Sequence, residues 1–313
     1  MVRSISVRKL VTVQDLSVED IMLILKLAEH YKLHVKSSTM YDKPLTGRIV
    51  GLYFELPSTR TRLAFGVATF ILGGNVIYLR KDELQLKRGE TLEDTIRILS
   101  RMLNALVVRV LDHDRLLKIA EYSEIPVING LTRMYHPTQA LTDIFTIREF
   151  KGFRRDIKIA YVGDGYNNVC HSLLLACSKV GLNITVACPI GYEPDRKVVK
   201  MAEENSEISN CVVDIVHDPI EAVKNADVIY TDVYVSMGTE KEREKRLRDF
   251  EGWTITKELL KHAKKDYIFM HCLPAHRGEE VASDILDDPK HSVVWVQAEN
   301  KLYIAMSLLT LLL

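Results

Sequence analysis

The chain has 313 residues, 47% hydrophobic and 27% charged. That is more than one ordinary core takes up, so two globular domains of about 150 residues are expected. Forty-two basic residues balance 42 acidic ones, which excludes a net field able to recruit nucleic acid or a membrane surface and leaves small molecules or copies of the chain as partners. The five cysteines (Cys170, Cys177, Cys188, Cys211 and Cys272) form no CxxC, which argues against a disulfide framework and for a reducing cytoplasm. "MVRSISVRKLV" lacks an apolar core of signal length. The closing "IAMSLLTLLL" is apolar but about half the length that spans a bilayer, and reads as a buried terminal helix.

In chain order, "DLSVEDIMLILKLAEHYK" predicts an amphipathic helix, with Ser17 and Asp20 as a capping box. Residues 48–55 predict a strand, followed by a turn and a helix that ends at Gly73 and Gly74. Strands follow at 75–79, 105–110 and 126–130, with helices at "TLEDTIRILSRM" and "DRLLKIAEYS" between them. A long helix is expected over 136–152. A second alternating series then places strands at 157–163, 183–189, 211–217, 227–233, 267–273 and 292–297. Alternation of this kind gives α/β domains with parallel sheets and crossover helices. The expected fold is two doubly wound parallel-sheet domains joined by a helix, with the C-terminal helix packing back on the N-terminal domain. The expected boundaries are 1–148 plus 299–313, and 149–298. The mixed charge run at 239–253 reads as a solvated helix face or a mobile loop.

Ligands of open α/β sheets sit at the carboxyl ends of strands, so the strand tips carry the functional reading. At the first tip, Ser58, Thr59, Arg60 and Thr61 fall where a strand gives way to a helix. Uncapped N–H groups, hydroxyls and a guanidinium there suit an oxyanion, against the plainer reading of an N-cap with surface arginines. Arg109 interrupts the end of an apolar strand and needs either an anion or a structural carboxylate. His136 and Gln139, three apart at a helix start, share one face; they suit a carbonyl or amide, or simply cap the helix. Gly163-Asp164-Gly165 follows a strand like a dinucleotide loop. It lacks the third glycine, which is Asn168, and has no clear acidic ribose partner. Asn167 and Asn168 suit a carboxylate instead. Asp232 ends a strand and suits a substrate ammonium, or caps the next helix; Ser236, Met237 and Gly238 form a small-residue loop after it. In "MHCLPAH", His271 and Cys272 are neighbours, so strand alternation turns them to opposite sides and denies them a nucleophile–base pairing. The cysteine spacings offer no zinc pattern, and no metal or cofactor is expected.

Taken together, "STRTR", "HPTQ" and "HCLP", in this order and separation, resemble the aspartate/ornithine carbamoyltransferase family over nearly the whole chain. "GDGYNNV", "DVYVSMG" and "HCLPAHRGEEV" look like its ornithine branch; the aspartate branch would show a proline in place of Cys272. The resemblance implies carbamoyl transfer from carbamoyl phosphate to the δ-amine of L-ornithine, giving citrulline and phosphate in arginine biosynthesis. It implies that Ser58, Thr59, Arg60 and Thr61 cradle the phosphate, and that Arg109, His136 and Gln139 contact the carbamoyl group. Gln85, in "DELQLKRGE", matches a residue that reaches a neighbouring subunit's site, which implies a homotrimer, or a multiple of trimers, with shared active sites. Asn168, Asp232, Ser236 and Met237 match the binders of ornithine's α-groups, and Cys272 and Leu273 the pair lining the reaction centre. The named catalytic residues are then Arg109, His136, Asp232 and Cys272. Lys301 stands where the family usually has arginine, so a cation survives but a bidentate fork does not. The "SMG" loop is the natural lid. Competing expectations are a carbamoyltransferase for putrescine, acetylornithine or aspartate, an NAD-binding dehydrogenase, and an inactive regulator on the same fold.

Overall fold

The computed structural model describes residues 5–38 and 42–313. The chain divides into two compact units, the first comprising residues 1–142 with 299–313 and the second residues 143–298.

In the first unit, β1 (Lys9–Leu10), α1 (Val18–Lys36), β2 (Ile49–Phe54), α2 (Arg60–Ile71), β3 (Asn75–Arg80), α3 (Leu92–Met102), β4 (Ala105–Arg109), α4 (His113–Tyr122) and β5 (Val127–Leu131) precede α5 (Pro137–Lys151), which runs on into the second unit. The strands form one parallel sheet in the order β1-β5-β4-β2-β3. β2, β4 and β5 are apolar almost throughout because helices cover both faces. Tyr53, Leu106, Val108 and Val127 meet Ile96 of α3 and Leu116 and Ile119 of α4 in one core cluster. Each such side chain contributes roughly 1.5–3 kcal/mol by leaving water.

The second unit contains β6 (Lys158–Val162), α6 (Asn168–Val180), β7 (Asn183–Ala187), α7 (Arg196–Ser209), β8 (Val213–Val216), α8 (Pro219–Val223), β9 (Val228–Thr231), α9 (Arg243–Asp249), α10 (Lys257–Leu260), β10 (Ile268–His271) and α11 (Ser283–Leu286). Its parallel sheet has the order β10-β9-β6-β7-β8. α12 (Val294–Leu312) begins in this unit and ends in the first. Within the first unit it meets α1, where Tyr31 Oη and Thr310 Oγ1 lie 2.8 Å apart and Lys32 Nζ donates to Asn300 Oδ1 at 2.8 Å.

Two of the expected elements differ in the structure. Residues 292–297 are not a strand. Ser292 makes a single bridge to Phe269, Val293 N–H donates to Phe269 O at 3.0 Å, and helix α12 starts at Val294. A short apolar run does not by itself separate strand from helix, and here it is the first turn of a 19-residue helix. The charge run at 239–253 contains a short 3-10 turn and α9, and one of its charged residues is not solvated: Arg246 is buried. Among the described residues, no helix is long and apolar enough to cross a membrane.

Candidate active site

Strand order locates two crevices. In the first sheet the chain leaves β2 for β3 on one side and reaches β4 and β5 on the other, so the switch point lies between β2 and β4. In the second sheet it lies between β6 and β9. Ligands of such sheets bind at the carboxyl ends of the strands flanking the switch. Ser58, Thr59, Arg60, Thr61, Arg109, Asn168 and Asp232 sit at or just after these four ends, while His136 and Gln139 follow β5 and Cys272 and Leu273 follow β10.

At the end of β2, Ser58 and Thr59 lead into α2, and Thr61 is buried in its first turn. α1, α3 and α4 are each capped by a side chain, from Ser17, Thr91 and Asp112 respectively. α2 is not: Thr59 accepts no capping hydrogen bond. Its N-terminus therefore keeps the donors and the positive dipole end that favour an anion. Arg109 is the last residue of β4, and the β4–β5 register shifts between Val108 and Arg109. An irregularity of that kind re-aims a side chain at a strand end.

His136 is 5% exposed and precedes α5. Burial, then the charges of Lys301, Arg109 and Arg60, hold its imidazole well below the usual histidine range. The ring is thus neutral, and three cations from separate elements face it. Thr138 Oγ1 lies 3.3 Å from His136 Nδ1. Thr138 therefore orients this ring. Gln139 is 1% exposed and its Oε1 accepts a hydrogen bond from Lys301 Nζ of α12. The lysine in place of the family's arginine thus reaches the same cluster. Gln85 lies apart from these contacts, exposed in a 3-10 turn at Gln85–Arg88.

In the second unit, Asp232 follows β9 and is 5% exposed. It caps no helix. Its Oδ1 accepts from Val233 N–H at 2.8 Å and from the Cys272 thiol at 3.1 Å, and its Oδ2 accepts from Asn167 Nδ2 at 3.0 Å. The sequence reading paired Asn167 with Asn168 as suited to a carboxylate and carried Asn168 forward as the binder. Asn168 is the first residue of α6 and partly buried, while Asn167 is the N-cap and bonds both Val169 N–H and Asp232. The N-cap position was the available signal. Ser236 and Met237 are partly buried in the loop beyond Tyr234, where Ser236 O accepts from Thr239.

The end of β10 departs from simple alternation. β10 stops at His271, and Leu273 takes φ +57° before a cis peptide to Pro274. A ligand-capable atom from each of Asp232, His271 and Cys272 lies within 4.8 Å of the others, although alternation predicted opposite sides. They still form no nucleophile–base pair, because the thiol donates to Asp232. His271 Nδ1 accepts from Leu273 N–H at 2.9 Å, so Nε2 carries the hydrogen, 3.2 Å from Glu280 Oε1. Behind this tip, Gln297 accepts from His271 N–H and donates to Asp143, which also receives the Tyr230 hydroxyl. That buried relay fixes the height of the strand end.

The glycines of the 163–165 loop have steric causes. Gly163 has φ +142°, and a Cβ on Gly165 would stand 2.6 Å from Tyr192 O. Asp164 is anchored below by Arg246, whose Nη1 donates to Asp164 Oδ2 at 2.6 Å and to Tyr234 O at 3.0 Å. This tight, filled loop accounts for Gly-Asp-Gly without a dinucleotide.

With this geometry in view, the family models decide the lineage. The carbamoyl-P binding domain of aspartate/ornithine carbamoyltransferase matches residues 8–149, and the Asp/Orn binding domain matches residues 155–312. The chain belongs to the aspartate/ornithine carbamoyltransferase family. An ornithine carbamoyltransferase of Pyrococcus horikoshii is 50% identical over 313 residues, covering 100% of this chain and 98% of that protein. An anabolic ornithine carbamoyltransferase of Pyrococcus furiosus matches with the same identity and coverage. Among solved structures, ornithine carbamoyltransferase from Pyrococcus furiosus superposes with a TM-score of 0.92 at 48% identity, over 99% of this chain and 96% of that one. Anabolic ornithine carbamoyltransferase from Campylobacter jejuni gives 0.90 at 39%, over 96% and 97%. The family's two binding domains thus account for both crevices.

Proposed function

We propose that the protein transfers the carbamoyl group of carbamoyl phosphate to the δ-amine of L-ornithine, giving L-citrulline and phosphate in arginine biosynthesis. The observation that carries the choice of acceptor is the buried Asp232 carboxylate, held on both oxygens and touched by the Cys272 thiol. A fixed anion at the acceptor crevice attracts an ammonium group and repels the second carboxylate of aspartate. The family membership and the relatives' names support the same reading.

In this reading Ser58, Thr59, Arg60 and Thr61 hold the phosphate at the uncapped end of α2. Arg109, His136, Gln139, Lys301 and the carbonyl of Leu273 meet the carbamoyl group. Neutral His136, its Nδ1 turned to Thr138, donates from Nε2 to the carbonyl oxygen. Asn168, Ser236 and Met237 take ornithine's α-amino and carboxylate groups, with Asp232 and Cys272 orienting the δ-amine. The neutral amine attacks the carbonyl carbon, and the new C–N bond forms a tetrahedral oxyanion stabilised by Arg109 and His136. The C–O bond to phosphate then breaks, the electron pair leaves with phosphate, and a phosphate oxygen takes the amine proton. Orientation of two substrates supplies several kcal/mol of the barrier.

We further propose a homotrimer in which Gln85 serves the site of a neighbouring subunit, and a cytoplasmic location, on the strength of the cysteine usage. Citrulline formation from carbamoyl phosphate and a panel of amines tests the central reading.

A further inference from the structure

The stretch that follows the reaction centre contains a polar cluster that carbamoyl transfer does not use. A tight turn closes residues 276–281, with Glu279 N–H donating to His276 O at 3.0 Å, Gly278 N–H to Val281 O at 2.8 Å and a bridge between Arg277 and Val281. It brings ligand-capable atoms of His276, Glu279 and Glu280 within 4.8 Å of one another. Glu280 is 0% exposed. Its Oε1 accepts from His276 N–H and stands by His271 Nε2, but its Oε2 is buried with no hydrogen-bond partner among the described residues. The same holds for Glu279 Oε2 and His276 Nδ1, which lie 3.5 Å apart. Glu279's other oxygen is occupied by Arg243. Separately, Tyr234 is 2% exposed and its hydroxyl also lacks a hydrogen bond of ordinary geometry. Glu280 and Glu279 act on that phenol, while the nearby Thr254 hydroxyl is turned to Glu279 O.

Buried polar groups left without partners are rare and costly, because each has given up water and received nothing in return. Here they converge from two segments distant in sequence. One buried and one half-buried carboxylate, Glu280 and Glu279, share a single guanidinium, that of Arg243, so carboxylates outnumber the cation paired with them. We propose that His276, Glu279 and Glu280 form a binding site for one divalent transition metal ion of the zinc or manganese class. One imidazole nitrogen and two carboxylate oxygens are the donor set such ions take. The 3.5 Å between His276 Nδ1 and Glu279 Oε2 matches two ligands bonded at about 2.1 Å to a tetrahedral centre. A water fills the fourth position and accepts or donates to Tyr234 Oη. His276 is partly exposed and gives the entry path. Because Tyr234 opens the segment leading to Ser236 and Met237, occupancy braces that loop from below.

Chelator-treated full-chain protein titrated with zinc chloride, and separately with manganese chloride, by calorimetry tests this. One ion per chain is expected. His276→Ala and Glu279→Gln each weaken zinc binding by about tenfold or more, while Cys272→Ser leaves it unchanged. X-ray absorption of the zinc-loaded protein is expected to show nitrogen and oxygen ligands at about 2.0–2.2 Å and no sulfur. Melting of each variant in chelator establishes that it is folded. No uptake of either ion at submillimolar concentration would overturn the proposal. So would affinity lost in Cys272→Ser but kept in Glu279→Gln, which would place the ion at Asp232, His271 and Cys272.

Discussion

Arg60 carries the donor half of the account at the scale of a single residue. It stands at the start of α2, whose N-terminus no side chain caps, and its charge reaches His136. Arg60→Ala is expected to abolish measurable carbamoyl phosphate binding by calorimetry; unchanged affinity would remove the phosphate cradle. Cys272 donates to the Asp232 carboxylate rather than to the neighbouring His271 imidazole. Cys272→Ser is therefore expected to raise the ornithine KM while turnover stays measurable; complete loss, with a carbamoyl thioester trapped on the wild type, would make the thiol a nucleophile. His136 sets a pH dependence. Its folded-state pKa is well below the ordinary value of about 6.5. Below that pH the unfolded chain binds a proton there that the folded chain refuses, so this group's contribution to stability is lost as pH falls through about 6.5. The slope approaches about 1.4 kcal/mol per pH unit for one group. Denaturant melts across pH 5–8 of wild type and His136→Asn measure the difference. The strand-tip donors were legible in the sequence because a polar residue ending an apolar strand has few plain explanations. The bond of Asn167 to Asp232 was not, because its partner lies 65 residues away and nothing local marks it.

Among the elements, α9 shows what pattern reading leaves out. Six of its seven residues are charged, so nothing local separates Arg246 from its solvated neighbours. Only the fold brings it to Asp164, 82 residues earlier, where both side chains are buried. Removing one partner of such a pair leaves an uncompensated buried charge, at a cost of roughly 3–5 kcal/mol. Arg246→Ala is expected to lower stability by about that amount and to raise the ornithine KM, because the same guanidinium holds Tyr234 O. An unchanged melting midpoint would contradict it. Most strands were legible from alternating apolar runs and turn residues. The error at 292–297 had a physical origin. Ser292 makes only an isolated bridge to Phe269, and the helix takes over where its buried apolar face continues past Val294. β1 was missed because two residues at a sheet edge leave no periodicity to detect.

The whole molecule divides the chemistry between two parallel sheets, each with a crevice at its own switch point. That division was legible, since helix and strand alternate in two series. Assembly rests on the resemblance alone, and the structure shows only that Gln85 is exposed in its 3-10 turn. If Gln85 serves a neighbouring site, mixing Gln85→Ala chains with Arg60→Ala chains, after dissociation and reassembly, restores part of the activity that each variant lacks alone. No recovery would place both residues in one chain's site. The central claim is that this family member carbamoylates ornithine. The most direct measurement is kcat/KM for carbamoyl phosphate with L-ornithine, putrescine, N-acetylornithine and L-aspartate, read as the carbamoylated product. The account predicts a preference for ornithine of at least about a hundredfold, since an analogue lacking the α-groups leaves buried polar partners unpaired. Equal or better turnover of any other amine would contradict it.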